Sequence, residues 1–196
     1  MRPAGVAVAA VAPDSPAARA GLRAGDRILR MNGRRVADAL DVVFEAAEPE
    51  VRLELRRGPG PVRRLRVRRT YGRDWGARLE PPRVRPCGNR CRFCFVDQMP
   101  RGLRPSLYVK DEDYRHSFLY GNYVTLTNLA ARDLARIRRQ NLSPLFVSVH
   151  ATDDAVRRRL LGRPDAPPIA DQLRRLVRAG IRLHTQAVVC PGENDG

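Results

Sequence analysis

Three cysteines fall within eight residues, Cys87-Gly-Asn-Arg-Cys91-Arg-Phe-Cys94, a C-x3-C-x2-C spacing with an aromatic before the last thiol. No other feature constrains the fold as much. Sulfurs this close in sequence oblige the segment to be a compact loop that can aim all three at one place. Three thiolates on such a loop can hold three corners of a cubic [4Fe-4S] cluster, and with no fourth cysteine nearby one iron stays open to a ligand. Structural zinc asks for four ligands, often as paired C-x2-C. Here the remaining cysteine, Cys190, is 96 residues beyond Cys94, and no histidine lies within fifteen residues of the loop. A disulfide framework suits small, cysteine-dense secreted chains; four cysteines in 196 residues, with no signal-peptide pattern at the start, do not match one. Arg90 and Arg92 flank the middle cysteine and favour its thiolate electrostatically.

A cluster sensitive to oxygen points to the cytosol, where thiols stay reduced. No apolar run approaches a membrane span. The formal charge of +16 invites a nucleic-acid reading, yet of 37 basic residues only Lys110 is a lysine, a bias that resembles GC-rich coding more than selection for phosphate contacts. The excess is also spread along the chain, 17 basic against 10 acidic residues in 1–82 and 20 against 11 in 83–196. Its densest stretch, Arg63-Arg64-Leu65-Arg66-Val67-Arg68-Arg69, alternates as a strand with a solvated arginine face. RNA binding through that face is a minor alternative.

Residues 1–70 read as one small unit. Gly5 to Val11 is an apolar strand; Ser15 caps a short helix with Pro16 at its first position and Gly21 after it. Arg27 to Met31 is a strand, and Asn32-Gly33 is a hairpin turn because both residues tolerate positive φ. Val36 to Ala47 is a helix with Val36, Leu40, Val43 and Ala47 on one face, and Val51–Leu55 and Leu65–Val67 are alternating strands. The string Pro13-Asp-Ser-Pro-Ala-Ala-Arg-Ala-Gly-Leu-Arg-Ala-Gly-Asp-Arg-Ile-Leu-Arg-Met-Asn-Gly33 resembles a PDZ domain of the bacterial type. That resemblance implies capture of an extended peptide by strand addition. Only Met1 to Ala4 precede the strand that would form the groove, so a fixed intramolecular partner is the equal expectation. Residues 71–82, with Gly72, Trp75, Gly76 and Pro81-Pro82, read as the joint between domains.

Residues 83–196 settle into a β/α rhythm. Asn122–Thr127, Leu145–Val149 and Ile181–Val189 are expected strands; Asn128 and Thr152 are expected helix caps, and a further helix runs through Ile169, Leu173, Leu176 and Val177 to Gly180. Strands separated by helices imply parallel pairing and an α/β fold, with ligands at the C-terminal strand ends. Thr127, His150 and Cys190 lie at or near those ends, and the period of two puts Thr125 with Thr127, Ser148 with His150, and His184 with Gln186 on shared faces. A polar cavity facing the cysteine loop follows. The charged stretch Lys110–Arg115 fits either a site wall or a solvated loop.

With Phe93 inside the C-x3-C-x2-C loop at the mouth of the first β/α unit, this half is similar to the radical S-adenosylmethionine superfamily. The longer strings are more specific: Cys94-Phe-Val-Asp-Gln-Met-Pro through Tyr120-Gly-Asn-Tyr-Val-Thr-Leu-Thr-Asn-Leu129, Ser148-Val-His-Ala-Thr152, and Gln186-Ala-Val-Val-Cys-Pro-Gly-Glu-Asn-Asp-Gly196. They resemble the PDZ-fused radical S-adenosylmethionine proteins of domain-of-unknown-function family 512. The resemblance implies a PDZ-like domain followed by the first four β/α units of a partial (β/α)6 barrel, and an enzyme that cleaves S-adenosylmethionine reductively to start radical chemistry on a substrate the sequence does not name. It implies a [4Fe-4S] cluster on Cys87, Cys91 and Cys94, and Phe93 beside the adenine. The Gly-Gly-Glu element that often holds the methionine amino group is replaced here by Thr125-Leu-Thr-Asn128, so Thr127 and Asn128 are the candidate cofactor contacts there, with Ser148, His150 and Gln186 on the neighbouring strands. A reduced ferredoxin or flavodoxin is the implied electron donor. Since the barrel generally has six units, further sequence is expected beyond Gly196, and the chain is read as an N-terminal part. The competing reading is a PDZ-type interaction protein whose metal or cluster loop is structural.

Overall fold

The computed structural model describes residues 5–68 and 74–195 of the chain. It divides into two compact units, residues 1–83 and 84–196.

The first unit is a mostly antiparallel sheet with two short helices. Strands β1 (Val6–Val11), β2 (Asp26–Met31), β4 (Glu50–Arg57), β5 (Val62–Arg68) and β6 (Ala77–Leu79) lie in the order β5-β4-β2-β1-β6, and the two-residue β3 (Arg34–Arg35) pairs with β2. The turn between β2 and β3 is the expected one, with Asn32 at φ 49° and Gly33 at φ 79°. Helix α1 (Pro16–Arg19) is capped by Ser15, whose Oγ accepts from the Ala18 amide at 3.1 Å. Val51, Leu53 and Leu55, alternate residues of β4, are buried with Ile28 and Met31 of β2, where a register shift puts both on the same side, and with Val8, Leu22, Val42, Val67 and Trp75 in one core.

Three expectations for this unit change. Helix α2 spans Ala39–Glu45, not Val36–Ala47, because Asp38 caps it by accepting from the Leu40 and Asp41 amides. Starting three residues later turns its face: Val42 and Ala46 enter the core, while Val43 is 65% exposed. Part of the stretch read as a joint is structural, since β6 pairs with β1 in the register Val8↔Leu79, Ala10↔Arg78, Val11↔Ala77; Tyr71 and Gly72 lie outside the described residues. Finally β1, the strand expected to border a peptide groove, is paired on both sides, by β2 and by β6, so among the described residues β5 and β6 end the strand order and β3 pairs with β2 alone.

The second unit is α/β. A two-stranded parallel sheet joins β7 (Leu145–Ser148) to β8 (Leu183–Gln186) in the register Leu145↔Leu183 through Ser148↔Gln186. Helices α3 (Tyr114–Tyr120), α4 (Ala131–Gln140), α5 (Asp154–Leu161) and α6 (Ile169–Arg178) accompany it. The expected strand Asn122–Thr127 is reduced to a parallel bridge, Val124↔Val147, because Leu126 takes φ 59° and leaves the extended region. The expected caps also move. Asp153, not Thr152, accepts from the Val156 amide at the start of α5. At α4 the Asp133 carboxylate reaches back to the Ala130 amide at 3.0 Å, and Asn128 instead donates to the Glu112 carbonyl at 2.8 Å.

Candidate functional site

The cysteine loop is fixed from both sides by backbone hydrogen bonds. The Cys87 amide donates to the Lys110 carbonyl at 2.9 Å, and the Arg90 and Arg92 amides donate to the Leu161 and Leu160 carbonyls at the end of α5. That helix can close on the loop only because Gly162 ends it at φ 55°: a Cβ there would stand 2.4 Å from the Arg90 oxygen. The Cys94 amide closes a tight turn onto the Cys91 carbonyl. As a result all three thiols line one cavity of about 680 Å3, together with Asn89, Phe93, Phe95, Lys110, Asp111, Glu112, Thr125, Ser148, His150 and Gln186 among others.

The thiols feel one another there. Burial pushes the Cys87 thiol up, and burial followed by the neighbouring Cys87 and Cys94 sulfurs pushes Cys91 up to about 11. Charging one sulfur without a counter-ion is therefore disfavoured, a penalty that iron would remove. No three His, Cys, Asp or Glu side chains among the described residues converge on a point that could hold a single metal ion. A cluster offers each thiolate its own iron and does not ask for that convergence.

One wall of the cavity is a hydrogen-bonded polar network. The Asn89 amide donates to Thr125 Oγ1 at 2.8 Å, Thr125 to Glu112 Oε2 at 2.9 Å, and Thr127 Oγ1 to Asn89 Oδ1 at 3.0 Å, with the two threonine oxygens 3.1 Å apart. The shared face expected for Thr125 and Thr127 is thus present. Glu112 is 2% exposed, its Oε1 has no hydrogen-bond partner, and burial pushes its carboxyl up against the hydrogen bond from Thr125. Arg157, 1% exposed, places a buried guanidinium beneath the strand ends, donating to the carbonyls of Thr125, Val149 and Pro167. Lys110 Nζ bonds Asp97 at 2.7 Å, which holds the Asp97 carboxyl below its usual range.

Of the candidate contacts, Phe93, Ser148, His150 and Gln186 line the cavity beside the cysteines. Gln186 Nε2 donates to Ser148 Oγ at 3.0 Å, and the rings of Phe93 and His150 lie 4.5 Å apart. Thr127 and Asn128 stand behind the wall rather than on it: Thr127 holds Asn89, and Asn128 holds the Glu112 backbone. His184 stacks on Phe146 at 4.7 Å and does not line the cavity. Cys190 lies off the cavity as well, its amide bonded to Asn194 Oδ1. Sequence reasoning left Lys110–Arg115 undecided. The structure puts Lys110, Asp111 and Glu112 on the cavity, and buries Asp113, Tyr114 and Arg115 behind them, with Asp113 and Arg115 ion-paired. Asn89 carried no sequence signal beyond its place between two cysteines.

No described helix is long and apolar enough to cross a membrane. Among proteins of known structure, the chain is similar to the HtrA3 PDZ domain bound to a phage-derived ligand: 28% identity over 39% of this chain and 63% of that one, TM-score 0.31. It is also similar to the PDZ domain of an SdrC-like protein from Listeria monocytogenes, at 22% identity over 40% of this chain and 90% of that one, TM-score 0.34. The chain thus spans less than two thirds of the HtrA3 chain it matches. No curated protein matches it. A family model described as a PDZ domain matches residues 7–57, within the β-rich first unit. A second, described as a radical SAM-like domain, matches residues 69–196 and so takes in the cysteine loop and every wall of its cavity. The chain belongs to the radical SAM-like family.

Proposed function

We propose that the second unit binds a [4Fe-4S] cluster through Cys87, Cys91 and Cys94 and S-adenosylmethionine at the iron these leave open, and that it starts radical chemistry by reductive cleavage of that cofactor. One observation carries the reading: the three thiols of a radical SAM-like domain open onto a single cavity shared with Phe93, Ser148, His150 and Gln186. The cluster and the sulfonium would supply the electron transfer and the radical. The protein's own residues do the rest. The Phe93 ring gives a flat apolar face for a heterocycle, Ser148 and Gln186 present paired polar groups at the ends of β7 and β8, and the Asn89–Thr125–Glu112 wall is tied together by hydrogen bonds that leave Glu112 Oε1 unpartnered. Phe95, Val96, Val109 and Val188 add apolar side chains to the lining.

The β/α order of the second unit supports a partial barrel as its architecture, and a reduced ferredoxin or flavodoxin in the cytosol is the electron donor by analogy. A peptide partner of the PDZ-like unit would add to a strand other than β1, which is paired on both sides. Membership of domain-of-unknown-function family 512 is a proposal on the strings quoted above.

Anaerobic reconstitution with iron and sulfide tests this reading. The expected result is about four irons per chain and release of 5′-deoxyadenosine on reduction with S-adenosylmethionine. Stoichiometric zinc with no uptake of iron would replace it with the structural-loop reading.

A further inference from the structure

The segment Val188–Asn194 grips one cavity residue from more than one side. His150 follows β7 by two residues and sits in the left-handed region, φ 65°, a strained conformation that persists only when its surroundings hold it. The segment does so. Asn194 Nδ2 donates to the His150 carbonyl at 2.6 Å and to the Val188 carbonyl at 2.9 Å, while its Oδ1 accepts from the Cys190 amide at 2.7 Å. Glu193 pairs with Arg92 of the cysteine loop and with Arg159 of α5. The Val188 amide, in turn, donates to His150 Nδ1 at 3.2 Å.

That last bond decides the chemistry of the ring. A nitrogen that accepts from a backbone amide carries no proton, so in the neutral imidazole the proton is on Nε2. Among the described residues nothing accepts from Nε2, although His150 is 5% exposed and lines the cavity, with its ring 4.5 Å from that of Phe93. An N–H on a cavity-lining ring beside an aromatic face, with no protein partner among the described residues, is complementary to an uncharged heterocycle or its sugar, which offers a flat surface and acceptor atoms together.

We infer that His150 is a neutral hydrogen-bond donor, through Nε2–H, to the nucleoside half of the bound ligand, and that Val188 and Asn194 are positioning residues that fix its tautomer and its backbone. The inference rests on the S-adenosylmethionine reading for the identity of that ligand, and on geometry alone for the tautomer. It excludes His150 from acting as a general base or as a fourth cluster ligand through Nδ1, which is already engaged.

Two measurements test it on the full chain. In nitrogen-15 NMR at neutral pH, His150 of the wild type is expected as the Nε2–H tautomer, and Asn194→Ala is expected to shift its population toward Nδ1–H; a wild-type Nδ1–H tautomer would overturn the inference without touching the cluster. In calorimetric titration of the reconstituted protein with S-adenosylhomocysteine, His150→Phe keeps the ring beside Phe93 and removes the donor. It is expected to bind about fivefold to tenfold more weakly, whereas His150→Gln, which restores an N–H of similar reach, recovers most of the loss. Wild-type binding with unchanged affinity in His150→Phe sinks the inference and leaves the cofactor reading intact. No binding by the wild type sinks both.

Discussion

Single residues in this chain do work that their types conceal. Gly162 is the clearest case, since its missing side chain lets α5 end against the cysteine loop. Replacing it with alanine combines a 2.4 Å approach to the Arg90 oxygen with a left-handed backbone, so Gly162→Ala is expected to cost about 2–3 kcal/mol in urea unfolding and to lower iron uptake in parallel. His150 gives a pH signature. Burial, and to a lesser degree Arg157, lowers its pKa from 6.5 to about 4. The unfolded chain therefore binds a proton that the folded chain refuses, so this contribution is complete above pH 6.5 and is lost as the pH falls toward 4. The expected loss approaches about 3 kcal/mol at pH 4, read as the difference between wild type and His150→Phe in denaturant titrations at pH 7.5 and pH 4.5. Equal slopes for the two proteins would refute it.

Among the elements, α4 shows how one side chain can serve two purposes. Asp133 accepts from the Ala130 amide and receives a two-pronged hydrogen bond from Arg85 at 2.8 and 2.9 Å, which together hold its carboxyl below the usual range despite burial. Asp133→Ala removes cap and ion pair at once and is expected to cost about 2–3 kcal/mol; Asp133→Asn, which keeps the cap, should cost less. This element also shows where sequence reading succeeds and where it stops. The Asn32-Gly33 hairpin, the Ser15 cap and the cysteine loop are local events, and their residue types announce them. The strand expected at Asn122–Thr127 fails for a reason that is not local: Leu126 takes a left-handed conformation next to Thr125, whose hydroxyl and carbonyl are held by Glu112 and Arg157 from distant parts of the chain. The Lys110–Arg115 stretch fits a site wall or a solvated loop equally in the sequence, because only the fold reveals that Glu112, Asp113 and Arg115 are buried and that Asp113 and Arg115 pair with each other. Val43 misled in the opposite sense; a three-residue shift of the α2 start, set by Asp38, was enough to turn it outward.

At the level of the whole molecule, the first unit has a core of its own: the cluster built on Ile28, Met31, Leu53 and Leu55 draws on residues 6–79. Iron bound by the cysteine loop should therefore stabilise the chain unevenly. Hydrogen exchange before and after reconstitution is expected to show added protection across residues 84–195, strongest at the α5 end and β7, with little change in β2 and β4. Uniform protection of both units would contradict that division of labour.

The solitary lysine has a practical corollary. Lys110 hangs on the cavity rim with its ammonium on Asp97, and every other basic side chain in the chain is an arginine. A protease that cuts after lysine has a single peptide bond to attack, and that bond lies between two residues facing the pocket. Digestion into two fragments becomes a clock for site occupancy, slowing as the pocket fills, and it needs no knowledge of the substrate.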